Sequence, residues 1–216
     1  MNLSKQAVIA LVAGGLAAAL LVFAEPGFRG AADAATEPPT NPVKLKAVSD
    51  FAKIKNKSER AVALFQEAGK VMMSPRCMNC HPATDRPTQT DRMKPHDPLV
   101  VRGEGGMGAP GLPCTTCHHA TNFDPAGVPG NPMWHLAPAE MAWQGKTLGE
   151  ICVQIKDKNR NGGKDMAALV KHMAEDELVG WGWNPGAGRT PAPGTQKQFG
   201  ELVKAWADAG AICPKS

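Results

Sequence analysis

The sequence lacks a large excess of charge, and no stretch alternates apolar and polar residues as a half-buried strand would. The net charge is +4 over 216 residues, which is too small to indicate a nucleic-acid partner, although a mildly basic surface favours an acidic one. After the N-terminal region, no apolar run is long enough to cross a membrane. We therefore predict a mainly α fold of short helices with long loops and little or no β structure.

Histidine and cysteine are also scarce, with six of each in the chain. Four of the cysteines nevertheless form two CxxC pairs, Cys77 with Cys80 and Cys114 with Cys117, and a histidine directly follows each pair, His81 and His118. This is the attachment signature of a c-type haem. Two thiols on one helical turn can form thioethers to one porphyrin, and the next imidazole can bind its iron as the proximal ligand. The sequence therefore predicts two haem c groups.

Two other interpretations of the cysteine pairs remain open at this stage. Four cysteines in two CxxC pairs could hold a structural zinc. One pair alone could be a thioredoxin-like redox site. Neither alternative accounts for the histidine that follows each pair.

The N-terminus predicts an export signal over residues 1–35. One lysine precedes an 18-residue apolar run, residues 7–24, and small residues follow around Ala32 to Ala34. The length of the run is at the lower limit for a membrane span, so an uncleaved anchor is the alternative. Covalent haem attachment takes place outside the cytoplasmic membrane, so we expect a periplasmic protein. Residues 36–48 are predicted to be a proline-rich linker, and residues 49–216 a single domain.

Helix signals lie on both sides of a long irregular region. A helix is predicted over residues 58–73, and Pro75 separates it from the first motif. Residues 82–113 contain no long periodic run, and their glycines suit close approach of the backbone to a macrocycle or a flexible loop. Later helices are predicted from Thr147 to near Asn161, from Asp165 to about Val179, and from Thr195 to Gly210.

Cys152 and Cys213 are left over from the two motifs. In an oxidising compartment, an even remainder of cysteines predicts a disulfide. The bridge would connect the helix that follows Thr147 to the end of the last helix. The alternative is a pair of buried free thiols.

The two motifs are accompanied by other short segments with a recognisable pattern: NPMWHLAP at 131–138, QIKD at 154–157, NGG at 161–163, HM at 172–173 and WGWNP at 181–185. Together they resemble a group of small exported di-haem cytochromes, some of which carry the label of isoquinoline 1-oxidoreductase subunits. The resemblance implies a cytochrome that serves a molybdenum hydroxylase or another periplasmic dehydrogenase as its redox partner.

The sequence leaves several candidates for the sixth, distal ligand of each iron. His96, His135 and His172 are the distal candidates, and we expect two of the three to bind iron. His119 is a poor candidate because it directly follows the proximal His118. Methionine at one site, from Met107, Met133 or Met141, is the alternative.

Two classes of function fit these features. In the first, the protein is a periplasmic electron carrier with two six-coordinate irons that passes electrons from a dehydrogenase or hydroxylase to a respiratory acceptor. In the second, it is a peroxidase-like di-haem enzyme with one open iron. The sequence favours the carrier because candidate ligands outnumber the distal positions. Glu104 and Glu140 are the only acid–base candidates that we identify.

Overall fold

The computed structural model describes residue 41 and residues 43–216. The predicted export segment, residues 1–35, lies outside the described residues. So do residues 36–40 and 42 of the predicted linker. The described residues belong to one compact unit. Within them, no helix is both long enough and apolar enough to cross a membrane.

The described chain is mainly helical, as predicted. The six α-helices are α1 (Lys57–Met72), α2 (Pro75–Met78), α3 (Leu148–Lys156), α4 (Met166–Glu175), α5 (Glu177–Gly180) and α6 (Gln196–Asp208). The strands have two residues each and form two antiparallel pairs: β1 (Thr88–Gln89) with β2 (Lys94–Pro95), and β3 (Gly108–Ala109) with β4 (Leu112–Pro113).

Polar side chains cap the main helices where the sequence predicts a start. Thr147 accepts from the backbone N–H of Glu150, and the Glu150 carboxylate accepts in return from the backbone N–H of Thr147. Asp165 caps α4 through the N–H of Ala168, and Thr195 opens α6 with a second capping box. Each cap satisfies backbone donors that have no partner within the helix.

Two predicted helix ends differ from the structure. The helix from Asp165 was expected to run to about Val179, but it ends at Glu175. The Asp176 side chain accepts from the N–H groups of Leu178 and Val179 and so starts α5 as a separate helix. The helix after Thr147 ends at Lys156, before a series of turns that reaches Gly163.

The apolar core lies around α6, which packs against both α1 and α4, and α3 packs against α1. The Phe65 ring lies 4.8 Å from the Trp206 ring, centroid to centroid, and both side chains are fully buried. Burying each such side chain stabilises the fold by about 1.5–3 kcal/mol. Leu45, in the segment predicted as linker, is also buried in this core.

The predicted disulfide between Cys152 and Cys213 is confirmed. It links α3 to the segment after α6, with a Cα–Cα distance of 5.6 Å across 61 residues of chain. Lys156 Nζ donates to the Ala211 carbonyl, and Trp206 Nε1 donates to the Ile212 carbonyl. The C-terminal segment is therefore attached to two helices.

The long region between the motifs is held by hydrogen bonds. Arg102 is buried and donates to the carbonyls of Ala137 and Thr84. Gly106 adopts a φ of +77°, and a Cβ there would lie 2.2 Å from the Leu136 carbonyl oxygen. This glycine therefore allows one backbone segment to approach another, in addition to any role beside a macrocycle.

Candidate functional site

The two motifs lie in two neighbouring clefts. The first cleft has an empty volume of about 1120 Å³ and contains Cys77, Cys80 and His81. The second has an empty volume of about 1510 Å³ and contains Cys114, Cys117 and His118. These volumes include solvent space at the open mouths of the clefts.

In the first cleft, the backbone fixes the orientation of His81. The His81 Nδ1 lies 2.7 Å from the carbonyl oxygen of Met141. A carbonyl can only accept, so Nδ1 carries the proton and donates, and Nε2 is left with a free lone pair. The imidazole also stacks on the Trp143 ring, with centroids 3.6 Å apart and planes at 9°.

Burial controls the protonation of this motif in the unmodified chain. It raises the pKa of the Cys77 thiol to about 12 and that of Cys80 to about 11. It lowers the pKa of His81 to about 4. The imidazole is therefore neutral at pH 7, which is the form that binds a metal.

His172 on α4 also lines the first cleft. Its Nδ1 lies 3.2 Å from Asp176 Oδ2, which leaves Nε2 free. Burial lowers the pKa of His172 despite the adjacent carboxylate. The buried Leu169 and Met173 line the same cleft. Two neutral imidazoles thus border one largely apolar space.

In the second cleft, His118 has surroundings of the same kind. The His118 Nδ1 donates to the Pro129 carbonyl at 2.7 Å, and the imidazole stacks on the Trp134 ring at 4.6 Å and 14°. Burial lowers the pKa of His118 and raises that of the Cys114 thiol. The two motifs therefore share one local design, although the tryptophan follows the histidine at different distances in sequence.

His96 also lines the second cleft, where its ring centroid lies 6.0 Å from that of His118. Its backbone N–H donates to the Pro87 carbonyl, Arg86 Nε donates to the His96 carbonyl, and β1 pairs with β2 just before it. The His96 Nδ1 lies 2.9 Å from the Pro98 carbonyl. These contacts fix the ring with Nε2 free.

Three residues line both clefts: Arg76, His135 and Trp181. His135 donates from Nδ1 to the Met133 carbonyl. The Trp181 ring lies 4.9 Å from the Trp134 ring, at 88°. The clefts thus share a wall. Of the three distal candidates, His135 lies in this wall, His172 lines the first cleft and His96 lines the second.

The other sequence candidates are placed differently. Among the predicted methionines, Met141 lines the first cleft, whereas Met107 and Met133 are exposed and line neither. None of the methionines that the structure describes lines the second cleft. His119 is exposed and lines neither cleft, and neither do Glu104 and Glu140.

The zinc and thiol-redox alternatives receive no support from these positions. The two cysteine pairs lie in different clefts, and the described part of the chain has no cluster of three or more histidine, cysteine or acidic groups suited to a metal ion. A redox CxxC site needs a lowered thiol pKa, whereas burial raises the pKa of both Cys77 and Cys80.

The residues present fit a haem. Each cleft has two cysteines on one turn, an imidazole with a free Nε2, and largely apolar walls. Two buried donors at the clefts also have no partner within the described residues, Trp143 Nε1 and Arg76 Nε. Porphyrin carboxylates would supply acceptors for such donors.

Sequence analysis did not identify Arg76 or Trp143 as site residues. The only local signal was the position of Arg76 directly before Cys77. Trp143 lies far along the chain from His81, so their stacking depends on the tertiary fold.

Comparisons of the chain with protein-family models, curated proteins and solved structures find no match.

Proposed function

We propose that this protein is a periplasmic electron-transfer protein that carries two covalently attached c-type haems, one in each cleft. The principal support is that each CxxCH histidine donates from Nδ1 to a backbone carbonyl and directs a free Nε2 away from it. This arrangement prepares a neutral imidazole for iron and is typical of metal-ligating histidines.

The residues that hold the haems follow from the motifs. Cys77 and Cys80 form the thioethers in the first cleft, and His81 is the proximal ligand. Cys114, Cys117 and His118 have the same roles in the second cleft. When bound, each haem iron supplies a one-electron couple, Fe(III)/Fe(II).

We assign His96 as the distal ligand in the second cleft. Two imidazoles that bind one metal from opposite faces, each with a bond of about 2 Å, have ring centres about 6 Å apart. The His96 and His118 centroids are separated by 6.0 Å. Within residues 43–216, no methionine lines this cleft as a competing ligand.

We assign His172 as the distal ligand in the first cleft. Its bond to Asp176 holds the ring and increases its basicity, as carboxylate partners of metal-bound histidines do. Three methionines line this cleft and are the thioether alternatives at this site: Met72, Met141 and Met173. His135 is then the candidate that binds neither iron and lies in the shared wall.

The carrier is favoured over the peroxidase-like enzyme because each cleft contains a second histidine in addition to the motif histidine. A peroxidase would need one open iron position and an acid–base group beside it. The two predicted acid–base candidates, Glu104 and Glu140, line neither cleft. In the part of the chain that the structure describes, the carboxylates of the cleft walls are those of Asp97 and Asp176, and Asp176 is bonded to His172.

The partners that we propose follow the resemblance to exported di-haem cytochromes. The donor is a redox partner protein such as a molybdenum hydroxylase or another periplasmic dehydrogenase, and the acceptor is respiratory. Because the two clefts share a wall, electrons would follow a short path between the two haems of one chain.

The test is expression in a host that exports the chain and attaches haem. Mass spectrometry of the purified protein should find two haems and show whether residues 1–35 have been removed. Electron paramagnetic resonance of the oxidised protein should show two low-spin irons. Zinc without haem would refute the proposal, and a high-spin iron that turns over peroxide would favour the enzyme.

A further inference from the structure

Arg76 is a buried cation between the two clefts. It lies on α2, directly before Cys77, and its side chain is 2% exposed. It is one of the three residues that line both clefts. Its guanidinium carbon lies 5.9 Å from the centroid of Trp181, which belongs to the same wall.

The partners of Arg76 in the described chain leave part of its guanidinium unused. One terminal nitrogen forms an ion pair with Asp91 Oδ1. Asp91 is held in turn by the backbone N–H and the hydroxyl of Thr190, at 3.1 and 2.7 Å, and its side chain is 40% exposed. Arg76 Nε is buried and has no partner within the described residues.

A buried guanidinium with a free donor is costly unless an acceptor satisfies it. The clefts that it borders are the proposed haem sites, and a haem carries two carboxylates that accept from planar guanidinium groups. We propose that Arg76 donates from Nε to a haem carboxylate at the shared wall, and that its charge raises the reduction potentials of both irons. This inference depends on the proposed di-haem function.

The effect on both irons follows from electrostatics. Reduction removes one positive charge from an iron, so a nearby cation favours the reduced form. The interaction is stronger between partly buried groups than in water because the effective dielectric constant is lower. Asp91 neutralises part of the field, but it lies nearer the solvent, where screening is stronger.

Redox titration of the purified di-haem protein, followed by absorption spectroscopy, tests the inference. In Arg76→Gln, we expect both potentials to fall by about 59 mV, which is a tenfold change in the equilibrium constant of a one-electron couple. In Arg76→Lys, which keeps the charge and loses the planar donor, we expect a smaller fall at both irons.

Two matched cations separate a shared effect from a local one. Lys164 lines only the first cleft, and Arg189 lines only the second. We expect Lys164→Gln to lower mainly the first potential and Arg189→Gln mainly the second. If Arg76→Gln moves only one potential, or neither, the inference is wrong.

Asp91→Asn supplies a test that leaves the buried arginine in place. Removing this carboxylate increases the net positive charge at the shared wall, so both potentials should rise. If they fall or stay the same, the inference is also wrong, even where Arg76→Gln does not fold. Haem content is measured separately on each protein: a wild-type chain without two haems would refute the proposed function, whereas two haems with unmoved potentials would refute only the role of Arg76.

Discussion

The imidazoles of His96 and His118 line the second cleft together, with ring centroids 6.0 Å apart and ring planes at 64°. Each ring has its Nδ1 bonded to a proline carbonyl, so both Nε2 atoms are free. The pair thus has the separation of two imidazoles that bind one metal from opposite faces, about 6 Å.

Replacing His96 by alanine should therefore convert one of the two irons from low-spin to high-spin. The second iron would lose its distal ligand and bind carbon monoxide readily, whereas the first would keep its spectrum. Electron paramagnetic resonance and carbon monoxide titration measure both effects. His119→Ala is the matched control because His119 is adjacent to His118 but exposed, and it should change nothing. Two low-spin irons in His96→Ala would contradict the assignment.

The sequence indicated the motif residues but not the proximity of His96 to His118, and the reason is physical. The CxxCH residues are local, because one turn of chain brings two thiols and an imidazole together. His96 lies in a region without periodicity, and two short strands and Arg86 fix its position. Its partner could be recognised only after the fold was known.

The helices also show that local sequence patterns predict only part of the structure. The caps at Thr147, Asp165 and Thr195 were predicted because a side chain bonds to the backbone three residues later. The break at Asp176 was missed because the apolar pattern continues through Leu178 and Val179. The same aspartate caps α5 and bonds to His172, so a local helix break also orients a site residue.

The first iron should depend on His172 and not on His135. In His172→Ala, the first iron should become high-spin or take a methionine, and its potential should rise if Met173 or Met141 replaces the imidazole. Near-infrared absorption detects a methionine–iron bond. His135→Ala should leave both irons low-spin, since His135 is the third candidate for two positions. Loss of a low-spin iron in His135→Ala, with His172→Ala unchanged, would reverse the assignment.

The disulfide should contribute substantially to stability. Closing the chain between Cys152 and Cys213 is worth about 4 kcal/mol on the chain-entropy model, and Cys152 is fully buried. We expect the double variant Cys152→Ser with Cys213→Ser to lose about that free energy of unfolding in urea titrations, with both haems retained. Titration of denatured, unreduced wild-type protein should find no free thiol. Two reactive thiols there would contradict the bridge.

Glu67 should make the fold sensitive to acid. Burial raises its pKa, but the hydrogen bonds that its Oε1 accepts from Lys70 Nζ at 2.6 Å and the Lys46 N–H at 2.9 Å outweigh this effect, and the pKa is lowered from 4.5. Because the folded-state pKa is the lower one, the stabilisation is complete above the ordinary pKa and is lost as the pH falls through the lowered value.

In Glu67→Gln, the free energy of unfolding should therefore fall by about 2 kcal/mol at pH 7. The difference from wild type should shrink as the pH falls below 4.5. Urea titrations over this range measure it. Glu201→Gln, which changes an exposed carboxylate of α6, is the control and should have little effect. A difference that stays constant down to the lowest pH would contradict the role of the carboxylate charge.

The shared wall predicts that the two proposed haem sites are not independent modules. Arg76, His135 and Trp181 line both clefts, and Trp134 contacts both His118 and Trp181. In Cys114→Ala with Cys117→Ala, loss of the second haem should expose the apolar side of this wall and weaken packing around the first cleft. The remaining single-haem protein should melt at a lower temperature, and the potential of its first iron should shift.

The reciprocal variant, Cys77→Ala with Cys80→Ala, tests the same coupling from the other side. Because the same wall also borders the first cleft, loss of the first haem should likewise shift the potential of the second iron and lower the melting temperature. Calorimetry and redox titration of the two single-haem proteins measure these effects. Two stable single-haem proteins with unchanged melting and unchanged potentials would show that each cleft functions alone and that the wall only separates them.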